Sequence, residues 1–139
     1  WKYFREIFAC LGRFEAQLID LHSDTLHHRS SCLTVHLGLS PYSGGGMRFV
    51  PHAGQKEGKL ALTIIQKMST FRLIVNLYRL YTGTLLNHSE VVHQWCTSAE
   101  VVPSNPANWW LECDGELIGK GYWQFEVLPR AYRCVSITG

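Results

Sequence analysis

The sequence contains no apolar run of the roughly 18 residues that a membrane-spanning helix needs, and no C-x-x-C pair, internal repeat or low-complexity linker. Charge is sparse as well as balanced: 13 Lys and Arg against 11 Asp and Glu leave a net charge of +2, and only 17% of residues are charged. With no basic stripe, nucleic acid is not an expected partner. Cysteine is present, but not in a usable pattern. Cys10, Cys32, Cys96, Cys113 and Cys134 are odd in number and widely spaced, which argues against a disulfide framework and against a structural zinc site. Reduced thiols are expected, and with them a cytoplasmic location.

What is there is globular. The 139 residues, 46% of them hydrophobic, are enough for a single domain with a substantial core. The chain opens "WKYFREIFACLGRF". Trp1, Phe4, Phe8 and Leu11 recur at helical spacing, so a helix is expected over Lys2 to Leu11, ending near Gly12. A chain that begins with Trp inside or just before a helix is read as a piece of a longer protein. "FEAQLIDLH" alternates apolar and polar residues, and "CLTVHLGL" puts Leu33, Val35, Leu37 and Leu39 on one face. These spacings predict a hairpin of Glu15–Leu21 with Cys32–Leu39, joined by a polar turn "SDTLHHRSS". "KLALTIIQK" is a further strand. "STFRLIVNLYRLYTG" predicts one helix from Ser69 to Tyr81. Ser69 or Thr70 caps it, Phe71, Ile74, Leu77, Tyr78 and Tyr81 form its core-facing stripe, and Gly83 stops it. After Val91 come four short aromatic and β-branched segments, "VVHQWCTSAEVVP", "ANWWLECDGE", "GYWQFEVLP" and "AYRCVSITG", divided by Asn-Pro, Asp-Gly and Pro-Arg breaks. The expected fold class is mainly β with one or two helices, an antiparallel two-layer β-sandwich.

Three glycines in "YSGGGMRFVPHA", Gly44, Gly45 and Gly46, fit this pattern least well, because each costs backbone entropy. Local structure explains them as a positive-φ or bulged turn; a close approach of the backbone to another surface is the alternative. His22, His27 and His28, with Asp24, make the densest histidine group, which reads as a polar hairpin turn rather than a metal site. Trp109, Trp110 and Trp123 read as core and pocket wall.

The order of motifs is more specific than any one of them. "YSGGGMRFVPHA", "KEGKLALTII", "LYRLYTGTLLNH", "ECDGELIG" and "FEVLPRAYRC" follow one another along nearly the whole chain. In that order they resemble the C-terminal domain of the diacylglycerol kinase, sphingosine kinase and bacterial lipid kinase family. The resemblance implies a single C-terminal domain over residues 1–139, a β-sandwich that supplies the lipid pocket and part of the catalytic site. The family's nucleotide-binding "GGDGT" loop, carried by an N-terminal domain, is not in this sequence.

Several residue roles are implied by the resemblance alone. Asp114 would be the general base and Glu116 would assist with a metal or with orientation. The residue-level alternative is that Asp-Gly simply makes a hairpin turn. Gly44, Gly45 and Gly46 would lie at the substrate or at the interface with the nucleotide-binding domain. In "HAGQKEGKL", a magnesium ion would be held by Glu57 and by the carbonyls of Gly54 and Lys59. The family more often has an acidic pair with Asp there, where this chain has Lys56 and Glu57. It also commonly has Asn in a Gly-Asn pair where this chain has Gly38 and Leu39. The implied function is an ATP- and magnesium-dependent lipid kinase of phospholipid biosynthesis, acting on a lipid hydroxyl, cytoplasmic and peripheral to the membrane, with its own nucleotide-binding domain as partner. A non-catalytic lipid-binding or regulatory module of the same fold, and a plain interaction domain, are the alternatives.

Overall fold

The structure is a computed structural model in which residues 15–131 are described. The helix expected at Lys2–Leu11, Cys10, Cys134 and all but the first residue of the strand expected over 131–139 lie outside them. The described residues contain eight strands: β1 (Gln17–Ser23), β2 (His27–Gly38), β3 (Leu60–Gln66), β4 (Val91–Cys96), β5 (Ser98–Pro103), β6 (Trp110–Cys113), β7 (Glu116–Lys120) and β8 (Trp123–Glu126). Two short helices, α1 (Thr70–Asn76) and α2 (Tyr78–Thr82), follow β3. Six strands form one sheet in the order β4-β3-β2-β1-β5-β8, and β6 and β7 form a separate two-stranded ribbon. All pairings are antiparallel. The expected fold class, mainly β and antiparallel with a small helical insertion, is the one observed.

The hairpin of the first two strands forms, with Gln17 opposite Cys32. Its turn is shorter than the polar composition suggested. His27 to Ser31 belong to β2, leaving only Asp24 to Leu26 between the strands. A polar segment can hold a strand because alternation sends His27 and Arg29 outward, while the inward His28 and Ser30 find partners. His28 Nε2 lies 2.8 Å from Ser30 Oγ and 3.1 Å from Gln66 Nε2, and Ser30 Oγ lies 3.2 Å from Cys32 Sγ.

The expected single face of Leu33, Val35, Leu37 and Leu39 is corrected by a bulge. Pairing with β3 slips between Cys32 and Thr34, so one extra residue reverses the alternation. Cys32, Val35 and Leu37 then share the core with Ile19, Leu21, Leu62, Ile64, Cys96, Ala99 and Val101. Leu33 packs on the opposite side, with Ile65, Leu80, Leu85 and Val91. Leu39 lies past the strand end and is 59% exposed. The segment "VVHQWCTSAEVVP" is two strands rather than one, turning at Thr97, and "ELIGK", not expected as a strand, is β7.

The helix is placed correctly, but it is broken and rotated. Ser69 caps it, its Oγ accepting from the Arg72 N–H at 3.4 Å, and Gly83 ends it at φ 73°. At Leu77 the bonds tighten to three-residue spacing, Leu77 N–H to Ile74 O at 3.2 Å and Leu80 N–H to Leu77 O at 3.1 Å. Asn76 sits at the break, donating to Arg72 O and accepting from Arg79 Nε, both at 2.8 Å. Leu80 is buried and Leu77 packs beside it, while Phe71 is 75% exposed and Tyr78 and Tyr81 face solvent. Outside the stripe of Arg72, Asn76 and Arg79 the segment is apolar over a broad arc, so spacing alone does not select which part of it is buried.

Candidate functional site

The Asp-Gly-Glu segment sits at the tip of the β6–β7 ribbon. Cys113 pairs with Glu116, which leaves Asp114 and Gly115 as a two-residue loop. Both loop residues have positive φ, 51° and 87°, the signature of a type I′ hairpin turn. Gly accepts this at little cost, and Asp is among the few side chains that tolerate it. Asp114 and Glu116 are exposed. Among the described residues neither carboxylate makes a hydrogen bond or ion pair. On the side of the ribbon, Lys120 Nζ lies 4.4 Å above the Trp110 ring. Trp110 is therefore surface, not core as expected, whereas Trp109 packs against the main core and Trp123 is half-buried.

Gly44, Gly45 and Gly46 form one 3₁₀ turn closed by a bridge between Ser43 and Met47, with the Ser43 N–H donating to Met47 O at 2.8 Å. Gly45 and Gly46 have φ of 70° and 78°. A Cβ added at Gly46 would meet nothing within 4 Å. Backbone conformation accounts for this glycine inside the chain, and the space beyond it is open to an incoming surface. The turn is anchored by Arg48, whose N–H donates to Leu80 O in α2 at 2.8 Å and whose guanidinium donates to the Tyr42 hydroxyl at 2.9 Å.

Residues 51–59 form a second loop beside the first. His52 is 2% exposed, and its Nε2 reaches Gln94 O of β4 at 3.0 Å. Its ring stands edge-on to Trp95 at 5.0 Å, and burial pushes its pKa below the usual imidazole range. A Cβ on Gly54, at φ 78°, would lie 3.6 Å from Leu39 O, which places this loop against the end of β2. Both lysines of the loop are turned to other partners. Lys56 Nζ lies 4.1 Å over the Trp95 ring, and Lys59 Nζ lies 3.4 Å from Asp24 Oδ2. Glu57 is exposed and, among the described residues, free of any cation.

Asp24 was grouped in sequence with the histidines, but it points elsewhere. Its Oδ1 accepts from the Thr97 N–H at 2.9 Å and its Oδ2 from the Thr97 hydroxyl at 2.8 Å. Desolvation raises its pKa, but these bonds, the Ser98 N–H and Lys59 outweigh it and bring the pKa to about 2. Asp20 takes its place beside His22 and His27, while His28 turns inward to Gln66. Neither Asp20 nor His52 was singled out from sequence. A turn placed at Asp24–Leu26 would have revealed Asp20, because only then do Asp20, His22 and His27 fall on one face.

The family model described as the YegS C-terminal NAD kinase beta sandwich-like domain matches residues 1–136. The chain belongs to this family. Solved structures of similar fold include a putative diacylglycerol kinase from Bacillus anthracis str. Sterne, at 18% identity and a TM-score of 0.66, covering 91% of this chain and 43% of that one. A diacylglycerol kinase structure from the same organism has 15% identity and a TM-score of 0.59, covering 89% and 44%. Another from that organism, a putative diacylglycerol kinase, has 17% identity and a TM-score of 0.61, covering 88% and 41%. The search of curated proteins gave no match. The chain thus spans less than half the length of these structures.

As a YegS-type C-terminal domain, the chain carries its candidate residues on two separate platforms. The glycine turn and the 51–59 loop lie in the one connection between β2 and β3, whereas the Asp114–Glu116 turn belongs to the ribbon. Among the described residues no hydrogen bond or ion pair joins the two. Cys32, Cys96 and Cys113 are free thiols, as expected, with the first two buried. No helix among the described residues is long and apolar enough to cross a membrane.

Proposed function

We propose that this chain is the lipid-side C-terminal domain of an ATP-dependent lipid kinase, completed by a nucleotide-binding domain on the N-terminal side. The observation that carries the reading is the Asp114–Glu116 turn within a family member. Two carboxylates without partners among the described residues are held out at the tip of a two-stranded ribbon, where a second domain and a substrate can reach them. In the reaction the lipid hydroxyl oxygen attacks the γ-phosphorus of ATP and the bond to the β-phosphate oxygen breaks. The hydroxyl proton passes to the Asp114 carboxylate and ADP leaves. Glu116 orients the attacking group. Diacylglycerol-like and sphingoid-like alcohols both offer such a hydroxyl. The open space beyond Gly46 supports a role for the Gly44–Gly46 turn at the substrate or domain interface.

Magnesium fits the second loop by donor chemistry. Glu57 and the carbonyls of Gly54 and Lys59 are hard oxygen donors, and both nearby ammonium groups are held away, on Trp95 and on Asp24. The ion, when bound, would supply positive charge that steadies the loop. The apolar side chains that flank the catalytic turn, Trp110, Leu117 and Ile118, are exposed and support contact with a lipid surface or with the other domain. A non-catalytic lipid-binding or regulatory module is the second reading. Leu39 favours it, because an exposed Leu cannot hydrogen-bond across the site as the family's common Asn can.

In the whole kinase, Asp114→Asn should lower lipid phosphorylation by about 10²–10⁴-fold while ATP binding stays unchanged. Asn keeps the shape and the turn but takes up no proton. Activity surviving within a few-fold would remove Asp114 as the base and put the binding module ahead. Glu116→Gln should cost less than Asp114→Asn.

A further inference from the structure

The outer face of the β1–β2 hairpin holds a cluster that the kinase reading does not use. Asp20 and His22 are two residues apart on β1 and so share a face, and His27 stands directly opposite His22 in register. Asp20 Oδ1 lies 2.8 Å from His27 Nε2 and 3.1 Å from His22 Nε2. The two imidazoles stack at 4.1 Å with 15° between their planes, and all three donor atoms lie within 4.8 Å of one another.

We propose that Asp20, His22 and His27 form a binding site for a borderline divalent transition metal of the zinc class. Two imidazole nitrogens and one carboxylate oxygen are the donors that zinc takes in sites with an open fourth position. Magnesium and calcium prefer oxygen alone. Bonds of about 2.0–2.2 Å at tetrahedral angles set donor atoms roughly 3.4 Å apart. The observed spacings approach that value, and the broad χ2 torsions of His and Asp absorb the difference. The scaffold is also prepared. The ligands sit on adjacent paired strands, and the turn between them is tied to Thr97 by Asp24. Arg29 faces Asp20 across β2, and Glu100 faces His22 from β5, so the nearest acid and base on this face offset each other. His22 and His27 are exposed and Asp20 is half-buried, so a remaining coordination position is accessible to water or a small ligand.

The site is tested on the purified chain after chelation. Zinc is titrated by calorimetry, histidine side chains are followed by NMR, and magnesium is titrated in parallel. The expected result is one zinc per chain, with the imidazole signals of His22 and His27 shifting and no competition from magnesium. His27→Ala and Asp20→Asn should each weaken zinc by about tenfold or more, as loss of a ligand costs at least what loss of a supporting partner does. Asp20→Asn is nearly isosteric at a half-exposed position and keeps the fold. His88→Gln, near edge strand β4, should leave affinity unchanged. Absence of saturable zinc binding, shifts confined to other histidines, tighter binding of magnesium, or unchanged affinity in Asp20→Asn would each overturn the proposal.

Discussion

Asp24 shows how one side chain holds distant parts of this chain together. Its carboxylate joins the β1–β2 turn to Thr97, some seventy residues along, and to Lys59 at the start of β3. Hydrogen bonds to a charged group are worth about 1.5–3 kcal/mol, and partial exposure moves this case toward the lower end. Asp24→Ala should therefore cost about 1–2 kcal/mol at neutral pH. The pKa in the folded state, about 2, lies below the ordinary value of 3.8. The folded state thus binds this proton less readily than the unfolded state. The contribution is complete above about pH 4 and disappears as pH falls toward 2. Urea titrations of both proteins from pH 7 to pH 2 should show their difference closing in that window. A difference independent of pH would mean that packing, not the carboxylate charge, holds the turn. Gly83 is a second single-residue control point. At φ 73° it closes α2 over the flexible end of Arg48, so Gly83→Ala should cost about 1–2 kcal/mol through backbone strain, read as a lower urea midpoint.

At the level of elements, the strands and helices follow from local chemistry more faithfully than the faces they bury. The β1–β2 pairing, β3 and the Ser69-to-Gly83 helical segment were all legible from alternation, capping and a stop glycine. The buried sides were not. One bulged residue in β2 moves Leu33 to the far side of the sheet. In the helix, apolar residues occupy every side but the stripe of Arg72, Asn76 and Arg79, and packing selects Leu77 and Leu80 within that broad arc. The consequence is measurable. Leu80→Ala should destabilise by about 2–4 kcal/mol, as core truncations do. Phe71→Ala should stay within about 0.5 kcal/mol, as exposed substitutions do. A large loss at Phe71 would restore the stripe read from helical spacing.

For the whole molecule, the proposed division of labour predicts that the 139-residue chain alone turns over no ATP. The phosphate-binding loop lies in the other domain under this reading, and ATP hydrolysis or lipid phosphorylation by the purified chain would contradict it. The sequence by itself determined the family, the mainly antiparallel β class, the hairpin turn at Asp114–Gly115 and, among the described residues, the free state of Cys32, Cys96 and Cys113. These rest on short-range rules: motif order, alternation, the demand of a two-residue loop for positive φ, and spacing that offers no pair. Only the tertiary structure decided which residues meet. It sent Asp24 to Thr97 rather than to the histidines, brought Asp20 to His22 and His27, and buried His52 against β4. It also seated Lys56 on Trp95. The physical reason is register. Side-chain direction in a strand reverses with every residue, so a three-residue turn or a single bulge decides what shares a face, and pairing across the whole sheet fixes both.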